Sequence, residues 1–385
     1  MPRLAARTQA VLPFRAVELF QQAAQLQAAG RDIISLGIGE PDFTAPAQVV
    51  QAMQRAADAG ASGYSPPAGL AALREAIAGF YHQRFGAQVD PARVIVTAGA
   101  SGALMLAAMA LIDPGDEILM PDPCYPANRN FITGAGGVAR LIPTSAAERY
   151  QLSAARVREH WGPATRGVLA ASPGNPTGTS IAPDELAALL AEVRRRGGVC
   201  LVDEIYLGLS YAGQPRSALA LDDGVVAINS FSKYFHMTGW RLGWLIVPAH
   251  MVAAFERIAA SLQICAPTLA QHGALACFRP DVLQIYEDRR EAFRRRRDYL
   301  LPELERLGFA VPARPDGAFY IYADIGRHAE DSQALSQRLL HEAGVAAVAG
   351  HDFGPAHARH TMRFSYATGI DRLKAAVARM ERLLG

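Results

Sequence analysis

The sequence predicts an α/β fold: a mostly parallel, seven-stranded sheet sandwiched by helices in a large domain, joined to a smaller α+β domain. Three observations carry that prediction. From residue 45 to about 280, short β-branched runs alternate with helical periods, the pattern of strands covered by helices on both faces. A chain of 385 residues exceeds what one hydrophobic core absorbs, so a smaller companion unit is expected. Polar and small residues collect just after the strands, where open α/β sheets place their ligands.

Taken in order, the strands read as 94–97, 117–120, 138–142, 167–171, 199–203, 225–229 and 242–247. Helices fall between them at 101–112 and 183–196. Pro183 suits a first helical turn, and Gly197-Gly198 stops the second helix. From residue 281 the pattern changes to a long helix ending near 307, a strand at 318–323, a helix at 332–343, a strand at 361–366 and a helix at 371–384. The expected organisation is an N-terminal arm and part of the small domain over 1–44, the large domain over 45–280 and the small C-terminal domain over 281–385.

Bulk composition excludes several classes. A net charge of +2 offers no basic field for nucleic acid. Arg294 to Arg297 are offset by Glu287, Asp288 and Glu291, and apolar residues recur behind them at Tyr286, Phe293, Leu300 and Leu304. The cluster therefore reads as the solvated face of a long helix. Cys124, Cys200, Cys265 and Cys277 show neither CxxC pairing nor histidines at metal spacing, so free or packed thiols and no metal are expected. Arg3, Arg7 and Arg15 faintly resemble a transit peptide but lack the apolar stretch of a signal sequence, and no run approaches the roughly 18 apolar residues of a membrane span. A cytoplasmic protein is expected.

Lysine is the scarce residue. Only Lys233 and Lys374 stand against 36 arginines, an imbalance that compositional bias explains. Lys374 lies in the amphipathic tail helix. Lys233 follows the apolar run 225–228 within Ser230-Phe231-Ser232-Lys233, and MTGWRLGW begins four residues later. A lysine kept in such a cluster points to an amine nucleophile that forms a Schiff base with a carbonyl cofactor.

The strand ends supply matching groups. Ala98-Gly99-Ala100-Ser101-Gly102 is a small-residue turn opening a helix, whose free N–H groups suit a phosphate or simply make a tight turn. Ser172-Pro173-Gly174-Asn175-Pro176-Thr177-Gly178 follows the strand at 167–171. At the tip of the next strand stand Asp203-Glu204-Ile205-Tyr206. Asp203 is a natural partner for a protonated pyridine nitrogen, its other reading being a turn cap.

Ten segments occur in one order: GIGEPDF (37–43), YSPPAGLAALREAI (64–77), TAGASGAL (97–104), PDPCYP (121–126), SPGNPTG (172–178), DEIY (203–206), SFSKYFHMTGWRLGW (230–244), PDGAFYIYADI (315–325), VAAVAGHDFG (345–354) and MRFSYA (362–367). Through them the chain resembles the class I/II, fold-type I pyridoxal-phosphate aminotransferases, nearest the aspartate-aminotransferase-like branch. The resemblance implies pyridoxal 5'-phosphate as cofactor and transfer of an amino group from an L-amino acid to a 2-oxo acid, 2-oxoglutarate by family habit, in a ping-pong cycle.

It also implies roles. Lys233 would be the Schiff-base lysine and proton shuttle, Asp203 the pyridinium partner, and Asn175 and Tyr206 donors to the ring's phenolic oxygen. Tyr125 would stack on the ring. Backbone N–H groups of Ala100 and Ser101, the hydroxyls of Ser230 and Ser232, and Arg241 would hold the phosphate. Tyr64 would reach the phosphate in a neighbouring subunit, so a homodimer with shared sites is expected. Arg363 would grip the substrate α-carboxylate with help from Gly39 and Asn175.

Two positions depart from the pattern. Ser101 stands where the aspartate-specific branch often has a lysine for the distal carboxylate, which puts dicarboxylate specificity in doubt. Arg15 and Arg129, the arginines placed to substitute for it, are expected at the surface, and His236, in place of a small residue, is expected to point outward. The competing reading on the same fold is a C–S β-lyase or a cyclopropane-forming synthase. A ligand-sensing regulator is disfavoured because Gly37 opens the pattern without room for a helix-turn-helix ahead of it, and a nicotinamide dehydrogenase because no strand is followed by GxGxxG with an acid about 20 residues on.

Overall fold

The structure, a computed structural model, describes residues 3–385. Its strands are β1 (Ile34–Ser35), β2 (Val94–Thr97), β3 (Glu117–Asp122), β4 (Val138–Pro143), β5 (Thr165–Ala171), β6 (Val199–Asp203), β7 (Val226–Ser230), β8 (Gly243–Ile246), β9 (Tyr320–Asp324), β10 (Val345–Ala346), β11 (Val348–Ala349) and β12 (Thr361–Ser365). The seven-stranded sheet runs in the order β2-β8-β7-β6-β5-β3-β4, and only β8 is antiparallel to its neighbours.

The apolar runs explain this sheet. A strand alternates its side chains between faces, so a run without polar breaks must be covered on both. Cys200, Val202, Trp244 and Ile246 join the core on one face, while Val199, Leu201, Leu245 and Val247 join the core on the other. Helices Gly99–Leu111 and Pro183–Arg195 flank the sheet's strands in sequence. The first begins two residues before the expected 101, so its opening N–H groups lie at the glycine turn itself.

A three-stranded sheet, β11-β12-β9, and the helices around it form the smaller α+β unit. The long helix Pro280–Arg306 buries Tyr286, Phe293, Leu300 and Leu304, as its periodicity predicts. Its arginines are not uniformly solvated, however. Arg296 is buried and makes a bidentate pair with Asp42 at 2.7 and 2.9 Å, because one of four consecutive helical positions must turn inward. The helix expected at 332–343 spans Ser332–Arg338 and then widens to a π turn at Leu339–Ala343, ended by Gly344 in the left-handed region. β1 pairs in parallel with β10, tying the N-terminal arm to this smaller unit.

Candidate active site

Every predicted site residue except Tyr64 lines one cavity of about 310 Å³. It forms where β6 and β7 end, with further residues from the turn after β2 and from β12. Lys233 is half-buried there, and its Nζ donates to the Gly39 carbonyl at 2.6 Å. Burial lowers its pKa to about 8; Glu40 opposes the shift, while Arg363 and Arg241 reinforce it. Asp203 sits at the tip of β6, where burial raises its carboxyl to about 6 against the hydrogen bond from Ile205 N–H at 3.1 Å and the attraction of Lys233.

Arg363, on β12, donates from Nη1 to Asn175 Oδ1 at 2.9 Å and from Nη2 to the Gly37 carbonyl at 2.6 Å. Its guanidinium lies 4.3 Å from the Tyr320 ring centroid and 5.0 Å from that of Phe353, so aromatic faces wall the cation. Tyr206 Oη bonds Tyr320 Oη at 2.8 Å, and burial holds the Tyr206 phenol well above its usual range, keeping it a neutral donor.

At the glycine turn, Gly99 adopts φ +76, and a Cβ there would meet Arg241 Nη2 at 2.6 Å. Only glycine allows the guanidinium so close to the first N–H groups of the helix. Ser230 Oγ donates to Ser232 Oγ at 2.9 Å beside them.

Sequence reasoning misplaced three side chains. His236 is buried, not outward, at φ 53, with its ring 5.5 Å from Phe43 and 5.7 Å from Tyr286. Desolvation, helped by Arg289 and Arg296, lowers its pKa to about 3, so it packs as a neutral aromatic. Arg129 is half-buried and donates to the Asp352 carbonyl at 2.8 Å. Arg296 is the third. Arg15 is exposed, as expected. Residues missed altogether include Phe14, Val17 and Phe20 of the arm, Tyr320 and Phe353, and Asn128, which lowers Asp203. Of these, Tyr320 and Phe353 lay inside quoted motifs, whereas the arm residues carried no signal beyond helical periodicity.

Comparison with known proteins decides the family. The family model for aminotransferase class I and II matches residues 31–380. The chain is a class I and II aminotransferase. This aminotransferase is 37% identical over 372 residues to a valine–pyruvate aminotransferase of Mycobacterium tuberculosis, with 96% of each chain covered. It is also 37% identical over 389 residues to an aspartate/prephenate aminotransferase of Thermus thermophilus, covering 100% of both. The crystal structure of an aminotransferase from Mycobacterium tuberculosis superposes with a TM-score of 0.96 at 37% identity, over 100% of this chain and 99% of that one.

Aminotransferases of this family depend on pyridoxal phosphate, and the residues of the cavity fit that group. Asp203 is a buried carboxylate with no ion pair among the described residues, which suits a cationic ring nitrogen. The Gly99 turn with Arg241 is a cradle that any side chain would fill. Lys233 supplies a half-buried amine of lowered proton affinity that faces the cavity. The enzyme acts on amino and oxo acids, and no helix among the described residues is long and apolar enough to cross a membrane.

Proposed function

We propose that this aminotransferase moves the amino group of an L-amino acid to a 2-oxo acid in a ping-pong cycle, with Lys233 as its central amine. The observation that carries this reading is a half-buried lysine of lowered pKa sharing one cavity with a buried acid and with Arg363. Bound pyridoxal phosphate supplies the carbonyl carbon that takes up the amino group and a ring that draws electrons from the substrate's Cα–H bond.

The residues divide the remaining work. Nζ of Lys233 takes and returns the Cα proton, and a pKa near 8 leaves the amine partly neutral at physiological pH. Asp203 holds the ring nitrogen cationic. Asn175 Oδ1 is occupied by Arg363, which leaves its amide nitrogen to donate to the phenolic oxygen beside the Tyr206 hydroxyl. Tyr125, 5.9 Å from Phe14 between ring centroids, would cover the cofactor's ring. Ala100 and Ser101 N–H groups, Ser230, Ser232 and Arg241 hold the phosphate. Arg363 binds the α-carboxylate, with Gly39 beside it.

Tyr64 is 84% exposed, which supports the reading that it reaches a second subunit's phosphate in a homodimer. We place the domain boundaries at 44/45 and 280/281. With Arg363 on the smaller unit, substrate binding draws the units together and excludes water. The free cysteines suit a reducing, cytoplasmic compartment. The acceptor implied by family resemblance is 2-oxoglutarate, and the side-chain pocket bears directly on that choice.

The test is a half-reaction screen of the purified holoenzyme. Conversion of the cofactor spectrum by amino donors, reversed by 2-oxo acids, supports transfer. Release of pyruvate and ammonia from cystathionine without that conversion would instead establish the β-lyase reading.

A further inference from the structure

The cavity has two chemically distinct walls. Its cations are Lys233, Arg241 and Arg363, and each has a role in the reading above. Its remaining wall is apolar, made by Phe14, Val17, Phe20, Leu104, Phe131 and Val348. Phe20 and Val348 close tightly around Gly37, since a Cβ at that glycine would meet them at 3.0 and 3.1 Å. The Gly37 carbonyl is itself bonded to Arg363, so the apolar wall begins beside the carboxylate-binding cation.

The wall is held in place by one acid. Asp352 accepts from the N–H groups of Arg15 and Ala16 at 2.8 and 2.7 Å, which caps helix Arg15–Ala28 from across the fold and fixes Phe14, Val17 and Phe20 over the site. Its carboxylate is thereby used, and Arg129 is engaged with its carbonyl. Arg15 takes part through its backbone, with its side chain exposed. Ser101 lines the cavity with a hydroxyl where a cation would be needed for a second carboxylate.

Building on the aminotransferase reading, we propose that the substrate side chain is apolar and uncharged, bound by the N-terminal arm. Both partners of the cycle are then monocarboxylates: an apolar L-amino acid and an oxo acid of the same class or pyruvate, in place of 2-oxoglutarate. The physical reason is that a distal carboxylate entering this pocket loses its water and meets no further cation among the described residues that line it, whereas an aliphatic or aromatic side chain gains by burial.

Two measurements on the holoenzyme test this. In half-reactions followed by the cofactor spectrum, kcat/KM for L-valine, L-leucine or L-phenylalanine exceeds that for L-aspartate and L-glutamate by at least about 30-fold, the size expected when a buried charge is left unpaired. Calorimetry, which needs no turnover, gives tighter binding for 4-methylpentanoate than for succinate. Ser101→Lys raises kcat/KM for L-aspartate by about tenfold or more while its purified, folded state is checked by cofactor content. Equal or better use of aspartate or glutamate by the unmodified enzyme, or tighter binding of succinate, overturns the specificity inference alone. Failure of every amino acid to convert the cofactor overturns it together with the aminotransferase reading.

Discussion

The guanidinium of Arg363 donates to the side-chain oxygen of Asn175 at 2.9 Å, so β12 of the smaller unit and the loop after β5 share a hydrogen bond inside the cavity. A substrate carboxylate that binds Arg363 therefore acts on a contact already spanning both units. Arg363→Ala is expected to raise KM for amino acids by about 10- to 100-fold, the worth of hydrogen bonds to a charged group, with cofactor content little changed. Arg363→Lys keeps the charge without the planar fork and falls between the two. Steady-state kinetics with cofactor titration check this; parallel loss of cofactor would refute the assignment.

Lys233 and Lys374 form an internal control. Lys374 is exposed on the C-terminal helix Ile370–Leu384 and pairs at most loosely with Asp371 at 4.0 Å. Lys233→Ala should lower transamination by about 10³-fold or more, given the worth of a positioned general base together with a lost nucleophile. Lys374→Ala should leave the rate and the spectrum intact.

The pKa of Lys233 predicts how the protein, once stripped of cofactor, takes it back. Only the neutral amine attacks an aldehyde, so the capture rate should climb about tenfold per pH unit below 8 and level above it, where an ordinary lysine keeps climbing past 10. Stopped-flow absorbance between pH 6.5 and 9.5 checks the plateau.

Asp203 trades stability for chemistry. Its folded pKa of about 6 exceeds the ordinary 3.8, so its contribution to stability is fully present below pH 3.8 and is lost as pH rises through 6. The cofactor-free Asp203→Asn variant should thus be more stable than its parent at pH 7, on the order of 2 kcal/mol, with the difference vanishing near pH 4. Denaturant midpoints at the two pH values test the sign, and the same variant should lose turnover because its amide holds no ring nitrogen cationic.

Removing the carboxylate of Asp352 should free the arm. Asp352→Ala leaves the Arg15 and Ala16 N–H groups without their acceptor, at about 1–2 kcal/mol. Hydrogen exchange across residues 14–20 should accelerate and KM for apolar substrates should rise. The pH dependence set by Lys233 should stay where it is, which separates a positioning role from a disturbed active site.

Much of this molecule was legible beforehand because its information is local. The runs at 94–97 and 199–203 match strands residue for residue, since burial on both faces demands unbroken apolar sequence. The residues at strand ends were legible for a related reason: a sheet that places ligands at its carboxyl edge brings Asp203, Ser230 and Asn175 together whatever the loops do. Helix boundaries were less so, as with the π turn after Arg338, where a widened turn has no compositional signature.

By itself, then, the sequence determined the order and type of the elements and the chemical groups at their tips, because periodicity and turn residues act between near neighbours. Tertiary structure alone decided the rest. Arg363 and Asn175 are 188 residues apart and Arg296 and Asp42 are 254 apart, and no local pattern encodes which remote partner a side chain meets. The inward turn of His236 and the apolar wall laid over the site by the arm have the same origin: both depend on which surfaces the packed chain brings together.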